Sequence, residues 1–150
     1  MSEINLNREN EIFIRALKAR EGAYCPYSHY AVGACVETED GSFFDGCNIE
    51  NASYGLTVCA ERVAIFKAVS ESSKKNGAVL RIKRIAIAGG AKGDNPDGYA
   101  YPCGACRQVI REFADENTEI IIIKSTDDYK ISSLGELLPD SFGPDHLKKE

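Results

Sequence analysis

Between Asn7 and Arg20, the apolar residues Ile12, Phe13, Ala16 and Leu17 repeat at three- and four-residue spacing. That rhythm predicts an amphipathic helix, and Gly22 offers its stop. Tyr30 to Thr38 is rich in small and β-branched residues, and Asp40-Gly41 sets up a turn into Ser42 to Asn48, which predicts a hairpin. Thr57 to Ser73 returns to the helical period, with Val58, Ile65, Ala68 and Val69 as its apolar stripe. Ile82 to Ala88 predicts a strand that ends in a loop from Gly89 to Tyr101, where four glycines and Pro96 argue against regular structure. A third helix is expected over Gly104 to Ala114 and a buried strand over Glu119 to Lys124. Asp127-Asp128 then turns into a short last strand, Tyr129 to Ser132. Pro139, Gly143 and Pro144 predict a loop in the tail, followed by a short terminal helix. A hairpin followed by strands alternating with helices gives a sheet with helices on its faces.

Nothing divides the chain. It holds no repeat, low-complexity tract or long linker, and 150 residues make one domain spanning 1–150. A domain of this size buries roughly 70% of the unfolded chain's surface, so it needs no disulfide staples. Eighteen basic against twenty-three acidic residues leave a net charge of -5. That balance argues against a nucleic-acid partner, which calls for a concentrated positive field. The all-isoleucine run Ile120 to Ile123 is far short of a membrane span, and the polar start Met1-Ser2-Glu3-Ile4-Asn5 does not read as a signal peptide. No membrane partner and a cytoplasmic location are the expectations. In a reducing compartment the six cysteines are better read as buried, metal-binding or catalytic than as three disulfides.

Three of those cysteines stand apart. Cys59 lies in Thr57-Val58-Cys59-Ala60-Glu61-Arg62 at the start of the second helix, and Cys103 and Cys106 lie in Pro102-Cys103-Gly104-Ala105-Cys106-Arg107 at the start of the third. A C-x-x-C at a helix start puts two sulfurs on one side of the first turn, where free N–H groups and the positive dipole end favour thiolates. A third thiolate from another helix start would complete three corners of a tetrahedron. The fourth stays open for water, as in a catalytic rather than a structural zinc site. Glu61 sits two residues from Cys59. In a running helix such neighbours diverge, but a cysteine at the helix mouth and a glutamate just inside it can flank one pocket.

Cys59-Ala60-Glu61 with a later Pro102-Cys103-x-x-Cys106 resembles the zinc-deaminase signature, with cysteine in place of histidine as first ligand. The likeness extends through Cys25-Pro26-Tyr27-Ser28, Val32-Gly33-Ala34, Asn48-Ile49-Glu50-Asn51-Ala52-Ser53-Tyr54, and Leu137-Leu138-Pro139 to Ser141-Phe142-Gly143-Pro144. These segments resemble the small homotetrameric cytidine deaminase family in family order. The resemblance implies a three-layer α/β/α sandwich around a five-stranded mixed sheet, one zinc ion per chain on Cys59, Cys103 and Cys106, and Glu61 as the proton-transferring group. It implies a small-molecule nucleoside substrate, cytidine or 2′-deoxycytidine, deaminated hydrolytically in pyrimidine salvage. By the same likeness Asn48 and Glu50 hold the ribose hydroxyls, the Ala60 backbone contacts the base, and Tyr30 packs on it, where the family more often has phenylalanine. Tyr54 and Phe142 match residues that complete a neighbouring subunit's active site in a homotetramer. Three thiolates make the zinc site one charge more negative than one with a neutral histidine, so Arg62 is expected to donate to sulfur and draw charge off, with Arg107 as a second donor.

Other readings stay open on residues alone. Cys25, Cys35, Cys47 or His29 could close a structural zinc site, and Cys103 and Cys106 could form a redox pair. Cys35 and Cys47 otherwise read as buried strand residues and Cys25 as packing. A deaminase of another cytosine nucleoside, such as blasticidin S, is the nearest enzymatic alternative. A zinc-stabilised binding module without catalysis is the alternative from another class.

Overall fold

A computed structural model describes residues 10–73 and 79–147. Five strands, β1 (Tyr30–Thr38), β2 (Phe43–Cys47), β3 (Ile82–Ala91), β4 (Glu119–Ser125) and β5 (Asp128–Ser133), form one sheet in the order β2-β1-β3-β4-β5. β1 runs antiparallel to both β2 and β3, β3 is parallel to β4, and β5 is antiparallel to β4. The sheet is therefore mixed. Helix α1 (Glu11–Ala19) covers one face. Helices α2 (Ala60–Ser73) and α3 (Gly104–Phe113) cover the other, and a single-turn helix α4 (Leu134–Leu137) follows β5.

Two covered faces explain the unbroken isoleucine run. Side chains alternate across a strand, so Ile120 and Ile122 enter the core under α2 and α3 while Ile121 and Ile123 enter the core under α1. All four are buried, and each contributes roughly 1.5–3 kcal/mol. Cys35 lies with Ile12, Phe13, Ala86 and Ala88 in the α1 core; Cys25 packs with Ala23, Ala31 and the half-buried Cys47. Burial pushes the Cys35 thiol far up, so it behaves as an apolar side chain.

Glycines set the closest approaches. A Cβ on Gly33 would lie 2.1 Å from the Ala16 carbonyl oxygen, and one on Gly46 would lie 2.5 Å from both the Ala60 carbonyl oxygen and the Ala64 nitrogen. The first turn of α2 thus rests directly on β2.

Four elements differ from their sequence expectation. β3 continues through Gly89 and Gly90 to Ala91, which pairs with Tyr30. These glycines are not loop breakers. Tyr30 and Ala100 crowd Gly89, Pro96 and Arg20 crowd Gly90, and no Cβ would fit at either. α2 starts at Ala60 rather than Thr57, because Val58 is held extended by paired backbone bonds to Ile49. The tail opens with α4, which Ser133 and Glu136 start with a reciprocal capping box. Its expected terminal helix is a 3₁₀ turn, Pro144–His146. The expected start of the first helix at Asn7 lies outside the described residues; its described part begins at Glu11. Among the described residues, no helix is long and apolar enough to cross a membrane.

Candidate metal centre and active site

Strand direction brings the three cysteines together. β2 and β3 both oppose β1, so the helices that follow them, α2 and α3, both begin beyond carboxyl ends of strands on one side of the sheet. Cys59 immediately precedes α2, and its carbonyl accepts from Val63 N–H at 3.1 Å. Cys103 caps α3 in an extended conformation, and Cys106 lies in that helix's first turn. The three sulfurs lie within 4.8 Å of one another. Cys59 Sγ and Cys103 Sγ are 3.9 Å apart, close to the roughly 3.8 Å edge of a tetrahedron with Zn–S bonds near 2.3 Å. Among the described residues, no fourth histidine, cysteine or carboxylate joins this group. All six cysteines are free thiols, so the structure holds neither a Cys103–Cys106 disulfide nor a closing role for Cys25, Cys35, Cys47 or His29.

Electrostatics fit a cation here. A hydrogen bond from Cys106, helped by Arg62 and Cys103, pulls the Cys59 thiol down to about 5. The same contact, with burial and the Glu61 charge, drives Cys106 strongly up. Three sulfurs gathered at two helix N-termini suit a soft tetrahedral ion such as zinc.

Glu61 is 4% exposed, and burial, reinforced by the nearby Cys59, raises its pKa. A carboxyl whose burial favours its protonated form is suited to take and return a proton. Arg62 Nη2 donates to Cys59 Sγ at 3.4 Å, and its Nε is buried with no hydrogen-bond partner. Arg107 is a correction. It donates to the Pro102 and Leu137 carbonyls, each at 2.8 Å, and ties α3 to the tail rather than reaching sulfur.

Asn48 and Glu50 flank Ile49, which pairs through both backbone groups with Val58, next to Cys59. Buried Asn48 donates from Nδ2 to the Tyr30 carbonyl at 2.8 Å and accepts Val32 N–H at 2.9 Å. Glu50 accepts the N–H groups of Tyr27 (3.0 Å) and Ser28 (3.2 Å) and the Ser28 hydroxyl. The Ser28 hydroxyl, then these amides, hold its carboxyl below the usual range. The structure therefore joins Asn48, Glu50 and Tyr30 in one network with Ser28, to which sequence reasoning assigned no role. Ala60 is buried as the first residue of α2, where backbone N–H groups lack helical partners. Tyr54 and Phe142 point outward, 72% and 56% exposed. Tyr54 packs on Tyr27, and Phe142 stacks on His146 while its carbonyl accepts from Gln108 on α3. The loop after β3 is tied to Arg20 at one end and to β5 at the other. Arg20 donates to the Ala91 and Asp94 carbonyls, and the Tyr99 hydroxyl bonds Asp128 at 2.5 Å.

A mixed sheet that presents three thiols at two helix mouths, with a buried carboxyl beside them, defines a zinc-dependent hydrolytic enzyme. A family model described as the cytidine and deoxycytidylate deaminase zinc-binding region matches residues 6–122. The chain belongs to this family. It is 45% identical over 127 residues to a cytidine deaminase of Halalkalibacterium halodurans, covering 85% of this chain and 88% of that one. A cytidine deaminase of Sporosarcina psychrophila is 39% identical over 137 residues, 91% of this chain and 93% of that one. The crystal structure of cytidine deaminase from Burkholderia pseudomallei superposes with a TM-score of 0.75 at 40% identity, covering 95% of this chain and all of that one.

Proposed function

We propose that this protein hydrolyses cytidine and 2′-deoxycytidine to uridine and 2′-deoxyuridine with release of ammonia. The observation that carries the reading is the Cys59, Cys103 and Cys106 cluster with the buried Glu61 carboxyl beside it. Cys59, Cys103 and Cys106 would hold one zinc ion per chain. When bound, zinc supplies a strongly acidified water. Glu61 accepts a proton from the attacking water and passes it to the ring nitrogen beside the reacting carbon. The water oxygen bonds to that carbon; Glu61 then moves the proton of this new hydroxyl to the amine as the C–N bond breaks and the carbonyl forms, so one water is consumed for each ammonia released. Burial keeps this carboxyl away from bulk solvent, where the proton would be lost.

The family likeness supports the other roles. Asn48 and Glu50 engage the ribose hydroxyls, the Ala60 backbone meets the base, and Tyr30 packs on its ring. Arg62 withdraws charge from Cys59. Tyr54 and Phe142 each project an aromatic surface that a single chain leaves open, which supports a homotetramer whose subunits complete one another's pockets. The physiological setting is cytoplasmic pyrimidine salvage.

The test follows ultraviolet absorbance after mixing the zinc-replete protein with cytidine or deoxycytidine. Turnover is expected with both, and Glu61→Gln should lose about 10³-fold in kcat while it folds and retains zinc. Failure to turn over either nucleoside defeats the proposal. A fully active Glu61→Gln protein removes Glu61 from it.

A further inference from the structure

The turn before β1 carries a hydroxyl whose two hydrogen bonds join two parts of the nucleoside pocket. Ser28 Oγ donates to Glu50 Oε2 and accepts the Tyr30 backbone N–H at 3.0 Å. Asn48 holds the following peptide unit through the Tyr30 carbonyl at 2.8 Å. Tyr30 is thus fixed from both sides, by Asn48 directly and by Glu50 through Ser28. The turn itself is over-determined. His29 takes a left-handed φ of 58° that a residue with a Cβ seldom adopts, and its backbone is fixed by bonds to Cys25 (2.9 Å) and from Lys92 (2.8 Å). Strain retained at such a turn marks a segment whose geometry other contacts impose.

We infer that Ser28 is a positioning residue, whose hydroxyl locks the Glu50 carboxylate to the Tyr30 backbone and so sets affinity for the sugar half of the substrate. This deepens the proposed function and rests on it. Glu50 Oε1 already accepts two backbone N–H groups, so its remaining freedom is rotation about the side chain. The Ser28 hydroxyl removes that freedom by fixing Oε2. Without it the carboxylate keeps its charge but loses its orientation, and the cost falls on binding rather than on proton transfer at Glu61.

The experiment measures cytidine kinetics of Ser28→Ala and Ser28→Thr in the full, zinc-replete protein. It also measures inhibition by 2′,3′-dideoxycytidine, which lacks the two ribose hydroxyls. Ser28→Ala should raise KM for cytidine about tenfold with kcat within about twofold. Inhibition by the dideoxynucleoside should change by less than about twofold, and Ser28→Thr, which restores the hydroxyl, should return KM to the parent value. An unchanged KM, an equal loss for both nucleosides, a collapse of kcat, or an Ser28→Ala protein that does not fold overturns the positioning role alone. Absence of turnover in the parent protein overturns the proposed function, and the positioning role with it.

Discussion

Gly46→Ala tests whether the sheet sets the geometry of the metal centre. The added Cβ would stand 2.5 Å from the Ala60 carbonyl oxygen and the Ala64 nitrogen and 3.0 Å from Ala64 Cα. All three are backbone atoms of α2, so no side chain can swing aside. The closest contacts fall about 0.9 Å short of ordinary van der Waals distance, so helix and strand must separate by about that much. Cys59 precedes the displaced turn and Glu61 lies within it, whereas Cys103 and Cys106 ride on α3. The substitution therefore moves one sulfur and the carboxyl relative to the other two sulfurs. Overpacking of this kind costs about 1–3 kcal/mol of stability, and a displacement near 1 Å costs about 10²-fold in turnover. The assay pairs thermal unfolding with kcat and zinc content. Gly55→Ala serves as the control, because a Cβ there meets nothing within 4 Å. Parent-like turnover and stability in Gly46→Ala would refute the claim that this contact holds the site in register.

Two further outcomes test the site's surroundings and the core separately. Arg62→Gln removes the donor 3.4 Å from Cys59 Sγ and should lower kcat/KM about 10–100-fold. It should also move the acidic limb of the pH–rate profile to higher pH, since an unrelieved thiolate makes bound water less acidic; an unchanged profile with full activity removes the role. Ile122→Ala empties a fully buried position under α2 and α3 and should cost about 2–5 kcal/mol in denaturant unfolding, with zinc stoichiometry unchanged.

The layers of this fold were legible because burial leaves a period in the sequence. Ile120 to Ile123, apolar without a break, required a strand covered on both faces, and the alternating cores supply both covers. The gathering of Cys59, Cys103 and Cys106 was legible because helix starts fix where a cysteine sits relative to free N–H groups. Features defined by contacts distant in sequence were not. Gly89 and Gly90 read as breakers until the neighbours that crowd them, Tyr30, Pro96 and Arg20, were in place. Arg107 adjoins Cys106, yet the Leu137 carbonyl, thirty residues on, claims its guanidinium. Ser28 stood only within the segment Cys25-Pro26-Tyr27-Ser28 and without a role, since its partner Glu50 lies twenty-two residues away. The Ser133 to Glu136 capping box was local and readable, but the prolines and glycine of the tail drew attention to loop structure instead.

With its candidate ligands divided between two helices, a cation bound by Cys59, Cys103 and Cys106 would be a structural tie as well as a chemical one. Cys59 belongs to the hairpin and α2, while Cys103 and Cys106 belong to the segment after β3 and to α3. Among the described residues, no backbone ladder joins these two helix starts; side chains meet there instead, with Cys59 and Cys103 sulfurs 3.9 Å apart. A ligand that binds the folded arrangement and not the unfolded chain stabilises the fold in proportion to the logarithm of its excess over Kd. Stripping zinc with a chelator should therefore lower Tm as well as abolish turnover, and restoring zinc should return both. Cys59→Ser should lower Tm to about the stripped value and respond weakly to added zinc, because two sulfurs on one helix do not bridge to the other. An equal zinc-dependent rise in Tm for Cys59→Ser and for the parent protein would place the stabilising ion on α3 alone and detach α2 from the metal centre.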